Sequence, residues 1–149
     1  MSARTPDGWG AHAQQVLAQS GRHSGKARKA LVALLDGQSC ALSAIEIEDV
    51  LREGSRPVAR ASIYRILDEL ERLNLVQRVQ LGHDVTRYEP VRSGRGHHHH
   101  LVCDNCGTVT PFSDENLEDA IRELSRRLPM RVAEHEIVLH GACQVCAAS

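Results

Sequence analysis

The chain has 149 residues, of which 42% are hydrophobic, and a formal net charge of −1. This apolar content is enough for one ordinary domain or two small ones. No apolar run approaches the roughly 20 residues of a membrane-spanning helix, and no signal peptide opens the sequence, so we expect a soluble cytoplasmic protein without a membrane partner. The nearly neutral charge argues against a uniformly basic nucleic-acid-binding protein.

The charge is unevenly distributed along the chain. Residues 1–96 contain 14 Lys and Arg against 11 Asp and Glu, whereas residues 97–149 contain 4 against 8. Near the start, four cations lie close together: Arg22, Lys26, Arg28 and Lys29. Such a cluster can neutralise DNA phosphates, which makes Lys26 and Arg28 candidate DNA contacts, although the solvated start of a helix explains the cluster almost as well.

Three segments with helical periodicity occupy the first third of the chain. The predicted helices run from about Ala11 to Gln19, from Ser24 to Leu35, and from Ser43 through Arg52. Ser43 and, three residues later, Glu46 fit a capping box at the start of the third. Ile45, Val50 and Leu51 are predicted to be among its core residues.

The next predicted helix, from Arg60 to Leu73, follows a turn at residues 54–57. Its apolar residues recur at helical spacing and predict one buried stripe: Ile63, Ile66, Leu67, Leu70 and Leu73. The opposite face presents Ala61, Tyr64 and Arg65 near the helix start. Such residues, after a helix and a tight turn, are typical of a recognition helix in the major groove, where Arg can bind guanine. An ordinary amphipathic helix with solvated charges is the alternative.

Beyond Asn74 the apolar pattern changes to alternation. Strands at 76–81 and 85–89 around a turn at 82–84 predict a β-hairpin. Three helices followed by a hairpin make a winged helix, so we expect residues 1–89 to form a DNA-binding domain with an additional N-terminal helix. Residues 90–96, rich in Gly and Pro, are the predicted hinge.

Two Cys-x2-Cys pairs are the strongest chemical signal in the chain. Cys103 and Cys106 form the first pair, and Cys143 and Cys146 repeat the spacing near the C-terminus. Two such pairs can supply the four thiolates of a closed tetrahedral zinc site. Two redox dithiols or a pair of disulfides are the alternatives. Cys40, the fifth cysteine, is expected to be a small core residue.

Four consecutive histidines precede the first pair: His97, His98, His99 and His100. In an extended strand, alternate side chains point to opposite faces, so His97 and His99 share one face while His98 and His100 share the other. The run therefore predicts two chelating pairs for two different ions. Imidazole suits zinc, iron, nickel and copper, so the residue type does not choose the metal. An affinity-tag remnant or a solvated polar strand is the alternative.

Residues 97–149 are predicted to form a small α/β domain. Strands are expected at 98–103, 108–112 and 131–140, with a helix from about Asp114 to Leu128 that Ser113 caps. One helix and a few strands bury little apolar surface alone, so we expect this domain to dimerise.

Several stretches closely resemble the ferric uptake regulator family, from about residue 12 to 146. They are Ser-Ile-Tyr-Arg-Ile-Leu at 62–67, Arg-Tyr-Glu at 87–89, His-His-His-His-Leu-Val-Cys-Asp-Asn-Cys-Gly at 97–107, and the final Cys-x2-Cys. The resemblance implies an α+β homodimeric, metal-activated DNA-binding repressor of metal-uptake or metal-homeostasis genes. It implies an N-terminal winged helix, with Ser62 among the DNA contacts, and a C-terminal α/β dimerisation domain.

The resemblance also implies three sets of metal ligands. The structural zinc set is Cys103, Cys106, Cys143 and Cys146. A second set lies within the dimerisation domain and comprises His97, His99, Glu118 and His135. A regulatory set for Fe²⁺ or Zn²⁺ joins the two domains, and the residues of this chain that match part of it are Glu89, His98 and His100.

The regulatory set departs from both specificity patterns of the family. Iron-sensing members often have a His where this chain has Ala41-Leu42, an acidic residue in place of Pro111 and an Asp in place of His99. Zinc-sensing members usually have a Cys and an Asp where this chain has Val91 and Gln77. The sequence therefore leaves the sensed metal open between iron and zinc.

Two other functions remain open at this level. One is a histidine-rich metal storage or delivery protein, although such a carrier has no use for a winged helix. The other is a winged-helix regulator whose zinc is only structural. An enzyme is not expected, because a closed four-thiolate site lacks the open position that a catalytic zinc needs.

Overall fold

The computed structural model describes residues 8–21, 25–38, 40–82, 84–92 and 98–148. The chain divides into two compact units, Met1–Arg95 and Gly96–Ser149. Residues 93–96 of the predicted hinge, together with Arg22, His83 and His97, lie outside the described residues. Among the helices that are described, none is long and apolar enough to cross a membrane.

Four helices make up most of the first unit. They are α1, Trp9–Gln19; α2, Lys26–Asp36; α3, Ala44–Glu53; and α4, Arg60–Arg72. Their buried side chains form one apolar cluster that includes Leu17, Leu31, Leu35, Ile47, Ile63, Leu67 and Leu70. The predicted stripe of α4 therefore supplies much of this core, and the opposite side of the helix is left exposed.

Helix α3 begins where the capping-box pattern predicts. The Ser43 hydroxyl accepts the Glu46 N–H at 3.2 Å, and the Glu46 carboxylate accepts the Ser43 N–H at 2.8 Å. The prediction for its core was partly wrong, because Ile45 and Val50 are exposed while Ile47 is fully buried. With the helix starting at Ala44, positions 44, 47 and 51 face the core, and 45 and 50 fall on other faces.

A three-stranded antiparallel sheet completes this unit. Its strands are β1, Leu42–Ser43; β2, Val76–Gln80; and β3, Thr86–Pro90. The order is β1-β3-β2, with Leu42 opposite Tyr88 and Gln77 opposite Glu89. The sequence did not predict β1, which has only two residues. Strand β3 extends to Pro90, the first residue of the predicted hinge. Helices α2 to α4 with this sheet make a winged helix.

The second unit is a small α/β sheet structure. It contains β4, His99–Cys103; β5, Val109–Phe112; α5, Glu115–Arg127; β6, Val138–Gly141; and α6, Gln144–Ala147. Strand β4 lies in the middle, antiparallel to β5 and parallel to β6. Asp114, not the predicted Ser113, caps α5, because its carboxylate accepts the Leu117 N–H at 2.9 Å. The third strand is shorter than the predicted 131–140, and α6 was not predicted.

This unit buries little of its own surface. Among residues 98–148, all buried side chains belong to β4: His99, His100, Val102 and Cys103. Helix α5 has no buried residue, and Leu124 is 47% exposed and Met130 76% exposed. The unit therefore depends on metal ligation and on a partner surface more than on an apolar core of its own.

One buried ion pair joins α4 to α2. The Arg28 guanidinium lies 2.6 Å from the Glu69 carboxylate, and the Glu69 side chain is only 5% exposed. Glu69 belongs to the side of α4 that faces the core. The pair therefore stabilises the packing of α4 on α2 only as long as both charges are present.

We expect Arg28→Met to destabilise the first unit by about 3 to 5 kcal/mol, because it removes the guanidinium that balances the buried Glu69 carboxylate. The double variant Arg28→Met/Glu69→Leu should recover most of this loss. Urea unfolding followed by the fluorescence of Trp9, the only tryptophan of the chain, measures both. Arg72→Met, at an exposed position of α4, is the matched control. Equal losses of unfolding free energy in the single and double variants would contradict the role of the pair.

Candidate metal centres and the DNA-facing helix

The four predicted zinc ligands come together at one end of the second unit. Cys103 ends β4, Cys106 lies in the turn that follows, and Cys143 and Cys146 lie at the start and within α6. All four Sγ atoms lie within 4.8 Å of one another, and those of Cys106 and Cys143 are 3.8 Å apart. A tetrahedron with Zn–S bonds of about 2.3 Å has sulfur atoms about 3.8 Å apart. The geometry therefore fits a zinc ion, and all five cysteines of the chain are free thiols.

Backbone hydrogen bonds fix the first knuckle. The Cys103 N–H donates to Thr108 O at 2.9 Å, and the Gly107 N–H donates to Cys103 O at 2.8 Å. Gly107 has a φ of 77°, a conformation that side chains other than glycine's rarely allow. The Asp104 N–H donates to Gly141 O at 2.8 Å and joins the knuckle to the strand before the second pair.

The pKa values of the thiols in this group are shifted in opposite directions. The backbone N–H of Cys143, 3.3 Å from the sulfur, lowers the pKa of Cys103 to about 6. Hydrogen bonding to Thr108 lowers the pKa of Cys106. The neighbouring thiols, Cys143 first, raise the pKa of Cys146 to about 12. Four thiolates cannot all ionise together without a cation between them, so the donor set is suited to a divalent metal.

A second group of donors lies within the same unit. The Glu118 carboxylate, in the first turn of α5, contacts His99 Nε2 at 2.6 Å and His135 Nε2 at 2.8 Å. His99 is fully buried, and its Nδ1 accepts the Ile137 N–H at 3.2 Å, which orients the ring. Two imidazole nitrogens and a carboxylate are suited to a transition metal. His97, the fourth predicted member, lies outside the described residues.

His98 and His100 form a separate pair. Their rings meet edge to face with centroids 4.9 Å apart, in a group that does not include His99. Their separation from His99 is the arrangement that strand alternation predicts. Glu136 Oε1 lies 3.8 Å from His100 Nδ1, a contact that sequence reasoning missed. In the first unit, Glu89 is buried and its carboxylate accepts the Gln77 side-chain amide at 2.7 Å.

The exposed side of α4 carries the predicted base-reading residues. Ala61 and Arg65 are exposed, Tyr64 is 43% exposed, and the Arg65 guanidinium donates to the Ser62 hydroxyl at 3.3 Å. Among the predicted phosphate contacts, Lys26 is exposed at the start of α2. The Arg28 guanidinium contacts the Glu69 carboxylate instead. Its contact with DNA stays a prediction, since Arg28 would have to contact DNA while paired with Glu69.

Comparison with known proteins supports the predicted fold. The profile of the ferric uptake regulator family matches residues 19–140. The ferric uptake regulation protein of Bacillus subtilis (strain 168) is 34% identical over 114 residues, which cover 76% of this chain and 76% of that protein. That of Helicobacter pylori (strain ATCC 700392 / 26695) is 26% identical over 133 residues, which cover 89% of this chain and 87% of that protein.

Solved structures have the same fold. The Helicobacter pylori ferric uptake regulator superposes with a TM-score of 0.80 at 24% identity and covers 100% of this chain and 98% of its own. The Vibrio cholerae ferric uptake regulator gives a TM-score of 0.73 at 27% identity, covering 87% of this chain and 98% of its own.

A winged helix joined to a unit with clustered metal donors defines a metal-responsive transcriptional regulator. The chain belongs to the ferric uptake regulator family. Members of this family are DNA-binding dimers and not enzymes, so the predictions of fold class, of regulatory role and of no catalytic activity are confirmed.

We expect Cys143→Ser to give zinc-free protein whose second unit is unfolded and whose dimer is lost. Binding of structural zinc contributes about 10 to 16 kcal/mol to small zinc domains, and this unit has little core to replace it. Zinc content and gel filtration measure the outcome. Cys40→Ser is the matched control, because Cys40 lies in the first unit, where burial raises the pKa of its thiol. A stable zinc-free dimer of Cys143→Ser would contradict the structural role.

We expect Glu118→Gln to weaken metal binding at the second centre by at least about tenfold, since even indirect partners of metal ligands contribute that much. Titration of the protein with Co²⁺, after the four-cysteine group is filled with zinc, measures this affinity. Glu115→Gln, on the exposed first turn of the same helix, should leave it unchanged. Equal affinities of the two variants would show that Glu118 is not a ligand.

Proposed function

We propose that the chain is a metal-activated repressor that binds palindromic operators of metal-uptake or metal-homeostasis genes, as a homodimer in the cytoplasm. One observation carries this proposal. The chain combines a winged helix whose exposed face carries Tyr64 and Arg65 with a unit whose few buried residues are mostly metal-binding types. A metal carrier has no use for the first part, and a metal-independent regulator has no use for the histidines.

The start of α4 is the part we infer to read DNA. An Arg such as Arg65 can bind guanine through two hydrogen bonds, and the Tyr64 ring and Ala61 methyl can contact a thymine methyl. Ser62 lies on the same turn and orients Arg65 through its hydroxyl. Lys26 and Arg28, at the start of α2, are the candidate phosphate contacts of this proposal.

The regulatory ligands in this proposal are Glu89, His98 and His100, which rest on the family resemblance. Glu89 belongs to the first unit and the two histidines to the second. An ion that binds all three would link the first unit to the second. A dimer with one fixed spacing of its α4 helices fits two half-sites at once, and by linkage DNA binding then increases metal affinity.

The sensed ion of this proposal is Fe²⁺ or Zn²⁺, the two that the family resemblance implies. The second centre offers two imidazoles and one carboxylate, and the regulatory set offers the same. Carboxylate-rich sites suit Mn²⁺, whereas sites richer in imidazole suit zinc, iron, nickel and copper. Iron-sensing relatives often have acidic residues at the positions of His99 and Pro111. Here His99 offers an imidazole nitrogen and Pro111 offers no donor atom, so carboxylates are a smaller share of the donors.

The experiment is enrichment of duplexes from a random DNA library by protein loaded with Zn²⁺ or, without oxygen, with Fe²⁺. Binding to an enriched duplex that disappears when a chelator removes all but the four-cysteine zinc supports the proposal. Binding that survives this treatment indicates a regulator with structural zinc only. Tight uptake of several ions with no enriched duplex indicates a storage protein.

We expect the double variant His98→Ala/His100→Ala to lose metal-dependent DNA binding while keeping its fold, dimer and four-cysteine zinc. Its regulatory set would retain a single ligand, so the metal concentration for half-maximal binding should increase by at least about tenfold. His135→Ala, in the second centre, should have a milder effect. A double variant that responds at wild-type metal concentrations would show that this histidine pair is not the sensor.

A further inference from the structure

We propose that a groove between the start of α2 and the turn before α4 binds the sugar-phosphate backbone of DNA, with Lys29 and Arg56 as phosphate contacts beside Lys26. The inference rests on the proposed DNA-binding function. It adds a surface that the recognition helix does not supply. Lys29 belongs to the basic cluster of the sequence, whereas Arg56 was not singled out by the sequence pattern.

The groove is a sizeable feature of the first unit. Its volume is about 730 Å³, and Lys26 and Lys29 line one side while Arg56 and Ser62 line the other. Ser62 also accepts a hydrogen bond from Arg65. The groove is therefore continuous with the face of α4 that carries the base-reading residues, and DNA that contacts Arg65 passes beside it.

Among the described residues, the charges of the groove have no counter-charge. Six other arginines of this unit lie close to an Asp or Glu: Arg28, Arg52, Arg60, Arg78, Arg87 and Arg92. Within the described ranges, Lys26, Lys29 and Arg56 form no ion pair, and no acidic residue lines the groove. Three cations that the fold leaves unneutralised on one concave surface fit a polyanion.

Two helix starts add to this positive potential. Helices α2 and α4 begin beside the groove with Gly25 and Ala59 as N-cap residues, neither of which can cap through a side chain, and neither helix has an acidic residue in its first turn. In contrast, Ser43 caps α3 and Asp114 caps α5. First-turn N–H groups that the N-cap residue does not cap, together with the helix dipole, favour phosphate oxygens at such a position.

The turn that carries Arg56 is held in place. Ser55 has a φ of 60°, in the left-handed region, and its N–H donates to Arg52 O at 3.1 Å. The Arg56 N–H donates to Leu51 O at 2.9 Å. These bonds anchor the turn to the end of α3, so Arg56 projects from a fixed backbone. Contacts from such flanking positions to the sugar-phosphate backbone of DNA set the register of a recognition helix in the major groove.

The experiment measures DNA affinity against KCl concentration for zinc-loaded, full-length protein. The probes are a duplex enriched from a random library by the wild type and a duplex of scrambled sequence. Because each dimer carries two copies of the change, Arg56→Gln and Lys29→Gln should each flatten the slope of log K against log[salt] by about 1.8 and weaken both duplexes about thirtyfold at 0.15 M salt. Arg56→Lys should restore the slope, because it restores the charge.

Arg72→Gln is the matched control, since Arg72 is an exposed cation at the other end of α4. Arg65→Ala should reduce the preference for the enriched duplex by about tenfold. Slopes of Arg56→Gln and Lys29→Gln equal to that of Arg72→Gln overturn the groove proposal alone, as does weakening confined to the enriched duplex. Failure of the wild type to enrich any duplex overturns the proposed function, and the groove with it.

Discussion

The two-residue period of β4 is the constraint on which the second unit depends. This strand is hydrogen-bonded on both edges, to β5 and β6, so its register cannot shift without breaking both pairings. Because side chains alternate, His99 lies beside Glu118, and His98 and His100 belong to another group. Cys103, the last residue of the strand, belongs to the four-cysteine group. A slip by one residue would exchange the faces and dismantle all of these donor groups.

The first unit depends on a different principle, the division of its cations into two classes. Arg28 pairs with the buried Glu69 carboxylate and stabilises the packing of α4 on α2, whereas Lys26, Lys29 and Arg56 have no acidic neighbour along their groove. The same contrast exists within α4, where Glu69 is buried on one side and Arg65 is exposed on the other. In our proposal, fold and DNA recognition therefore use opposite faces of one helix, and each face can be altered separately.

The two units also differ in what holds them together. The first has a continuous apolar cluster built from four helices, but the described part of the second buries side chains only from β4. The four-cysteine group joins β4 to α6 across 40 residues of sequence, and α5 has no residue buried within the unit. Metal content and oligomeric state therefore contribute to the stability of the second unit rather than adding function to a finished fold.

The sequence by itself determined the features that depend on local spacing: the cysteine pairs, the alternation of the histidines, the buried stripe of α4 and the cap of α3. Tertiary structure decided the pairings between distant residues. It directed Arg28 to Glu69, placed Glu118 and His135 beside His99 as the family resemblance implied, and left Ile45 outside the core. Short elements such as β1 escaped prediction because two residues contain no period. Periodicity records which face of an element is apolar, whereas only packing decides what that face meets.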